Sequence, residues 1–164
     1  MKEVEALVPV LFRFPFFLKK QVLSFEKAEN GFYRVNGKLF FLQKCTGEEL
    51  FLLPLLVFTF LVGGALFSIY QSGHYSCLLG LLPATGYYLS LRAKKVGTVF
   101  FFLTVLAEFL CLYLYSFSPA VLPALYLFFG GIVGVSLTVA YGRECYLLCR
   151  KEKGSLNCWP VFIT

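Results

Sequence analysis

Aspartate is absent from this sequence, and histidine occurs once, at His74. The first absence excludes any chemistry that needs paired aspartates. With one imidazole and nine acidic residues, general acids and bases are too sparse to assemble a catalytic constellation, and an enzyme is not the expected reading. Charge is scarce as well, at 15% of residues, where soluble domains carry about 25%. The N-terminus lacks the pattern of a secretory signal. Glu3 and Glu5 spoil a positive start, Pro9, Arg13 and Pro15 interrupt the apolar run, and no small-residue cleavage site comes after it. There is no internal repeat and no low-complexity linker. Abundant instead are apolar residues, 59% of the chain, more than a water-soluble core of this size could absorb.

Four runs are long enough to cross a hydrocarbon layer about 30 Å thick, which takes roughly 17–25 residues of helix. They are Leu50–Tyr70, Tyr75–Leu91, Gly97–Phe117 and Pro119–Ala140, residues 50–70, 75–91, 97–117 and 119–140 of a transmembrane domain at 50–140. All fifteen Lys and Arg fall in segments that a four-pass topology places on one side: eight before the first run, three in Arg92–Lys95 and four after the last. The positive-inside rule makes that side the cytoplasm, with both termini there.

Residues 1–20 are read either as an interfacial segment or as an apolar strand packed on the neighbouring cytoplasmic piece. Residues 21–49 form a small cytoplasmic β element, with Asn36-Gly37 between "FYRV" and "KLFFL" as a hairpin turn. Residues 141–164 are expected to continue the fourth helix as far as Gly154 and then to run as an edge strand, with Val161–Ile163 docking on the hairpin near Phe32–Phe41. The expected fold is therefore an all-α integral membrane protein, a four-transmembrane-helix bundle with a small N-terminal cytoplasmic β-hairpin or meander.

Glu108 is the one charged residue inside a span. In hydrocarbon the protonated acid is its expected form. Thr104, Cys111 and Tyr115 stand at −4, +3 and +7 from it, so the four share one helical stripe that should face the bundle interior. Thr59 and Thr85 lie at similar depth and are candidate partners. So is the Leu79 carbonyl, which Pro83 cannot bond. Two readings stay open: a proton-relay or ion-pathway carboxyl, and a neutral residue that fixes helix packing.

Gly64 and Ser68, and Gly130 and Gly134, are small-xxx-small pairs suited to helix packing within one bundle or between copies. Cys45, Cys145, Cys149 and Cys158 lie on the expected cytoplasmic side, where thiols stay reduced. Their spacing does not match common zinc patterns, and neither a metal nor another cofactor is expected. His74 is read as a solvated loop residue. The basic clusters suit anionic lipid head groups on the cytoplasmic face. No nucleic-acid motif is present.

In length and number of spans the chain resembles lipoprotein signal peptidases and four-helix membrane disulfide oxidoreductases. The first family needs paired aspartates, and this chain has none. The second needs paired cysteines on the outer face, where only Cys77 is near. A cysteine nucleophile on the cytoplasmic side would have no imidazole, because His74 is expected across the membrane. The leading expectation is a non-catalytic subunit or adaptor of a membrane complex, joined by self-association or to another membrane protein, with the β element contacting a partner. The alternative is a homo-oligomeric channel or proton pathway using Glu108. An enzyme acting on a lipid-borne substrate is third.

Overall fold

The computed structural model describes residues 2–10, 17–28, 31–45, 47–92, 95–114, 118–152 and 154–163. The chain divides into two compact units, Met1–Leu52 with Ser136–Thr164, and Leu53–Val135.

The first unit is built on a closed antiparallel barrel of six strands. These are β1 (Lys2–Pro9), β2 (Leu18–Lys27), β3 (Phe32–Val35), β4 (Lys38–Lys44), β5 (Glu144–Glu152) and β6 (Ser155–Ile163). Alternation explains the closure. Ala6 and Val8, Leu23 and Phe25, Tyr33 and Val35, Phe40 and Leu42, and Val161 and Ile163 are spaced by two, so each pair points the same way from its strand. With Leu148 they form one apolar cluster that fills the barrel. Burying each large aliphatic side chain there contributes roughly 1.5–3 kcal/mol. The seam is narrow: β1 meets β6 through Ala6↔Ile163 and Leu7↔Phe162. On the outer side of that seam Leu7 and Phe162 are fully buried, and the Phe162 ring lies 6.1 Å from that of Phe51.

The β3–β4 turn shows why particular residues stand where they do. Asn36 and Gly37 join these strands with φ of 48° and 79°. Positive φ at both central positions is the type I′ requirement, which Asn-Gly meets at least cost. The Asn36 side-chain oxygen accepts bonds from the Ser24 amide and hydroxyl, at 3.2 and 3.1 Å, tying the turn to β2.

The helices are α1 (Gly47–Ser72), α2 (Leu82–Arg92), α3 (Val96–Leu114) and α4 (Val121–Tyr141), with a 3-10 segment at Tyr75–Leu81 before α2. In the second unit Ala65, Ile69, Cys77, Ala120, Ala124 and Leu127 form the core. Small residues dominate it because the backbones come close. A Cβ on Gly97 would lie 2.3 Å from the Leu89 carbonyl, and one on Gly86 would lie 2.8 Å from the Phe101 Cα. The α2–α3 pair therefore depends on hydrogen at both places. Gly80 of the 3-10 segment meets the Ala124 carbonyl in the same manner, at 2.4 Å from an added Cβ. The outward positions Phe60, Phe67, Phe102, Leu106 and Phe109 are exposed. Three helical stretches, Phe51–Ser72, Val96–Leu114 and Val121–Tyr141, are long and apolar enough to cross a membrane.

The expected all-α bundle with a β-hairpin is thus corrected: the chain forms a closed six-stranded barrel as well as its helices. Two segments account for the difference. Residues 2–9 form a strand paired along its whole length with β2, the second of the two readings given to residues 1–20, and this strand becomes part of the barrel. The expected extension of the fourth helix ends at Tyr141, and "ECYLLCRKE" becomes β5, paired on one side with β4 and on the other with β6. The four-residue spacing of Cys145 and Cys149 puts both on one face of a helix, but four is also an even number, and a strand does the same. The tail meets the hairpin at Phe32–Phe41 through side chains and not by strand pairing: Val161 and Ile163 share the barrel core with Tyr33 and Phe40. It pairs with β5 and β1, and Pro160, opposite Leu147, is tolerated inside β6. The second expected span, Tyr75–Leu91, is divided between the 3-10 segment and the eleven-residue α2.

Candidate functional site

Helix α3 carries Glu108, which is 6% exposed. Among the described residues no cation and no hydrogen-bond donor meets its carboxyl. It borders instead a cavity of about 290 Å³, entirely within the second unit. The wall around it is mostly apolar: Leu79, Leu112, Val121 and Ala124. The polar lining is Glu108 and Cys111 from α3, His74 and Ser76 from the turn before the 3-10 segment and its start, and Ser118 before α4. Leu114 is six positions beyond Glu108, so the Glu108 backbone sits about 9 Å in from the described end of α3. The Cys77 thiol donates to the His74 carbonyl at 2.9 Å, holding the turn over this end of the cavity.

Only part of the expected stripe gathers here. Cys111 shares the cavity with Glu108. Thr104 turns toward α2, donates to the Phe101 carbonyl at 2.8 Å, and lies 2.9 Å from the Cβ that Gly86 lacks. Tyr115 lies outside the described residues. The candidate partners do not arrive. The Thr59 hydroxyl bonds the Leu55 carbonyl of its own helix at 2.9 Å, and Thr85 bonds Leu81 at 3.4 Å. The Leu79 carbonyl receives the Leu82 amide, a consequence of the tighter 3-10 winding just before Pro83. Sequence reasoning missed His74, Ser76 and Ser118 as lining residues. The available signal was that short turns hold them at the end of the span containing Glu108.

The packing glycines work between α1 and α4 of this one chain. The position for a Cβ on Gly130 is 3.2 Å from Leu61, on Gly134 2.6 Å from the Phe58 ring, and on Gly64 3.4 Å from the Tyr126 ring. Ser68, one turn beyond Gly64, is half-buried.

The barrel holds a second chemically distinct group. Cys45 and Cys145 face each other across β4 and β5. The Cys145 thiol donates to the Cys45 sulfur at 3.0 Å, and the Cys45 amide donates to the Cys145 carbonyl at 3.0 Å. Burial pushes both thiols up, because the thiolate loses hydration. A cavity of about 350 Å³ beside them is bordered by Lys44, Arg143 and Glu144. Burial lowers the Arg143 guanidinium, and the charge of Glu5 opposes that shift. Cys149 and Cys158, directly opposed on β5 and β6, form a disulfide. The four barrel cysteines therefore stand as two separate pairs. Among the described residues no three His, Cys, Asp or Glu side chains converge as a metal site.

No family model, curated protein or solved structure matches the chain.

Proposed function

We propose that this chain is a four-crossing integral membrane protein acting as a non-catalytic subunit or adaptor, with its barrel as the element that contacts a partner. The observation that carries the reading is the β1–β6 seam, through which segments from both ends of the chain close one barrel. A barrel with polar, charged strands such as β2 stays on one side of the bilayer. Helix α1 leaves it and α4 returns to it, so the number of crossings is even. Three helices have the needed length alone. The fourth crossing is the 3-10 segment running into α2 without a break, since Leu82 is already α-helical. Seven residues at about 2 Å and eleven at 1.5 Å reach roughly 30 Å together.

Partner contact is supported by the outer surface of β3 and β4. Phe32 and Phe41 pack edge to face at 6.0 Å, and both remain exposed beside Leu39. Exposed aromatic clusters of this kind are enriched where proteins meet. The orientation rests on the fifteen Lys and Arg, which this topology collects on the barrel side, the cytoplasm.

Purification from native membranes in mild detergent tests the function. The expected result is a stoichiometric second protein that is lost in Phe32→Ser/Phe41→Ser and kept in Val22→Ser, another exposed barrel position. A wild-type chain that purifies alone overturns the reading. Acid-quenched alkylation in intact cells tests the orientation. In the reducing cytoplasm the Cys149–Cys158 pair should be trapped as thiols and close to the disulfide seen in the structure only after isolation. A fully oxidised pair overturns the cytoplasmic assignment.

A further inference from the structure

We propose that the Glu108 cavity is a binding site for a small organic ammonium ion with an apolar body. Such a site is independent of the adaptor reading. Glu108 is more than nine-tenths buried as a residue and borders this open space, and no described side chain bonds or pairs with its carboxyl. The acid, expected protonated in hydrocarbon, ionises there only beside a counter-charge, and among the described residues no Lys or Arg borders the cavity. A hard metal ion is a poor match. Calcium takes six to eight oxygen ligands and magnesium near-ideal octahedral oxygen coordination. The wall here offers one carboxyl group, His74, serine hydroxyls from Ser76 and Ser118, two thiols and aliphatic surface, too few oxygens for either ion. A wholly apolar ligand would fill the space beside Leu79, Leu112 and Val121 but leave the carboxyl unmet. An ammonium on an apolar body satisfies both, with its charge on Glu108 and its hydrocarbon against the leucines. The volume, about 290 Å³, is close to the lower bound of small-molecule sites.

Benzylammonium and its neutral counterpart benzyl alcohol are suitable probes, the alcohol correcting for partition into detergent. Cys111 lines the same cavity and reports occupancy in the unaltered protein. Benzylammonium should slow methylthiolation of Cys111 by methyl methanethiosulfonate at least fivefold, and benzyl alcohol should not. Saturation-transfer NMR should show benzylammonium binding at least tenfold more weakly to Glu108→Gln than to the wild type. Unchanged Cys111 modification in the presence of the amine overturns the proposal. So does equal protection by the alcohol, which assigns the cavity to neutral ligands. Amine binding that survives Glu108→Gln overturns it as well. If that variant fails to fold, the Cys111 comparison in the wild type still decides.

Discussion

Gly97→Ala offers the sharpest test of how the helical unit is held together. The added methyl carbon would stand 2.3 Å from both atoms of the Leu89 carbonyl group and 2.5 Å from the Ser90 nitrogen. All three neighbours are backbone, so no rotamer change can relieve the overlap. Ordinary contact begins near 3.4 Å, and α2 and α3 must separate locally by about 1 Å to reach it. That movement also loosens the approach at Gly86, where Phe101 and Thr104 already fill the space a side chain would need. Overpacking a tight interior costs typically 1–3 kcal/mol, and a clash with fixed backbone belongs at the upper end, about 3 kcal/mol. The control is Gly63→Ala on α1, where nothing lies within 4 Å of the added carbon. There the exchange should be neutral or stabilising by up to about 1 kcal/mol, through helix propensity alone. Thermal unfolding followed by circular dichroism in detergent separates the two. At about 2–4 °C per kcal/mol for a chain of this size, Gly97→Ala should melt roughly 6–12 °C below the wild type. A Gly97→Ala midpoint no lower than that of Gly63→Ala would refute the close packing of α2 on α3.

Three further outcomes concern the barrel. Gly37→Ala forces a side chain into φ of +79° and should destabilise the barrel by about 1–2 kcal/mol in a urea titration, whereas Lys38→Ala beside it should change little. Reducing Cys149–Cys158 reopens a loop of nine residues' separation, and chain entropy puts the loss at up to about 2.5 kcal/mol, measurable as a lower urea midpoint in dithiothreitol. The Cys45 and Cys145 thiols are both pushed up by burial, so the thiolate fraction stays low at neutral pH and grows only above the usual thiol range. Their alkylation rate should therefore keep rising beyond pH 9, and a plateau by pH 9 would contradict the burial.

What could be read from the sequence depended on whether a local pattern had one physical solution. Apolar runs as long as those of α1, α3 and α4 have few, and the residues at Phe51–Ser72, Val96–Leu114 and Val121–Tyr141 are helical. Asn36-Gly37 was legible for the same reason, since two consecutive positive φ angles suit few other pairs. Residues 144–152 were not, because Cys145/Cys149 spacing fits both periodicities and the deciding factor is non-local: β4, about a hundred residues earlier, supplies the backbone partners. β1 shows the same dependence, since its partners include a strand at the far end of the chain. At the cavity, Glu108 and Cys111 were found from spacing on one helix. His74, Ser76 and Ser118 come from separate turns, and no periodicity links them. Thr59 and Thr85 were misread because hydroxyls in helices satisfy themselves on the preceding turn, a competing local bond that depth alone does not reveal.

A sheet stitched from strands that precede and follow four helices imposes a timetable on the ribosome. Strands β1 to β4 emerge early, yet β5 and β6 arrive only after every helix has been synthesised. At about 5–20 residues per second, the first four strands wait on the order of 6–24 s with both lateral edges unpaired. Until Tyr146 appears for Lys44, and Ile163 for Ala6, these residues border open hydrogen-bonding rows that invite neighbouring nascent chains. Biogenesis should thus need either a chaperone covering those rows or quick delivery of the helices to lipid, and messages truncated before β5 should yield aggregates rather than a smaller working protein.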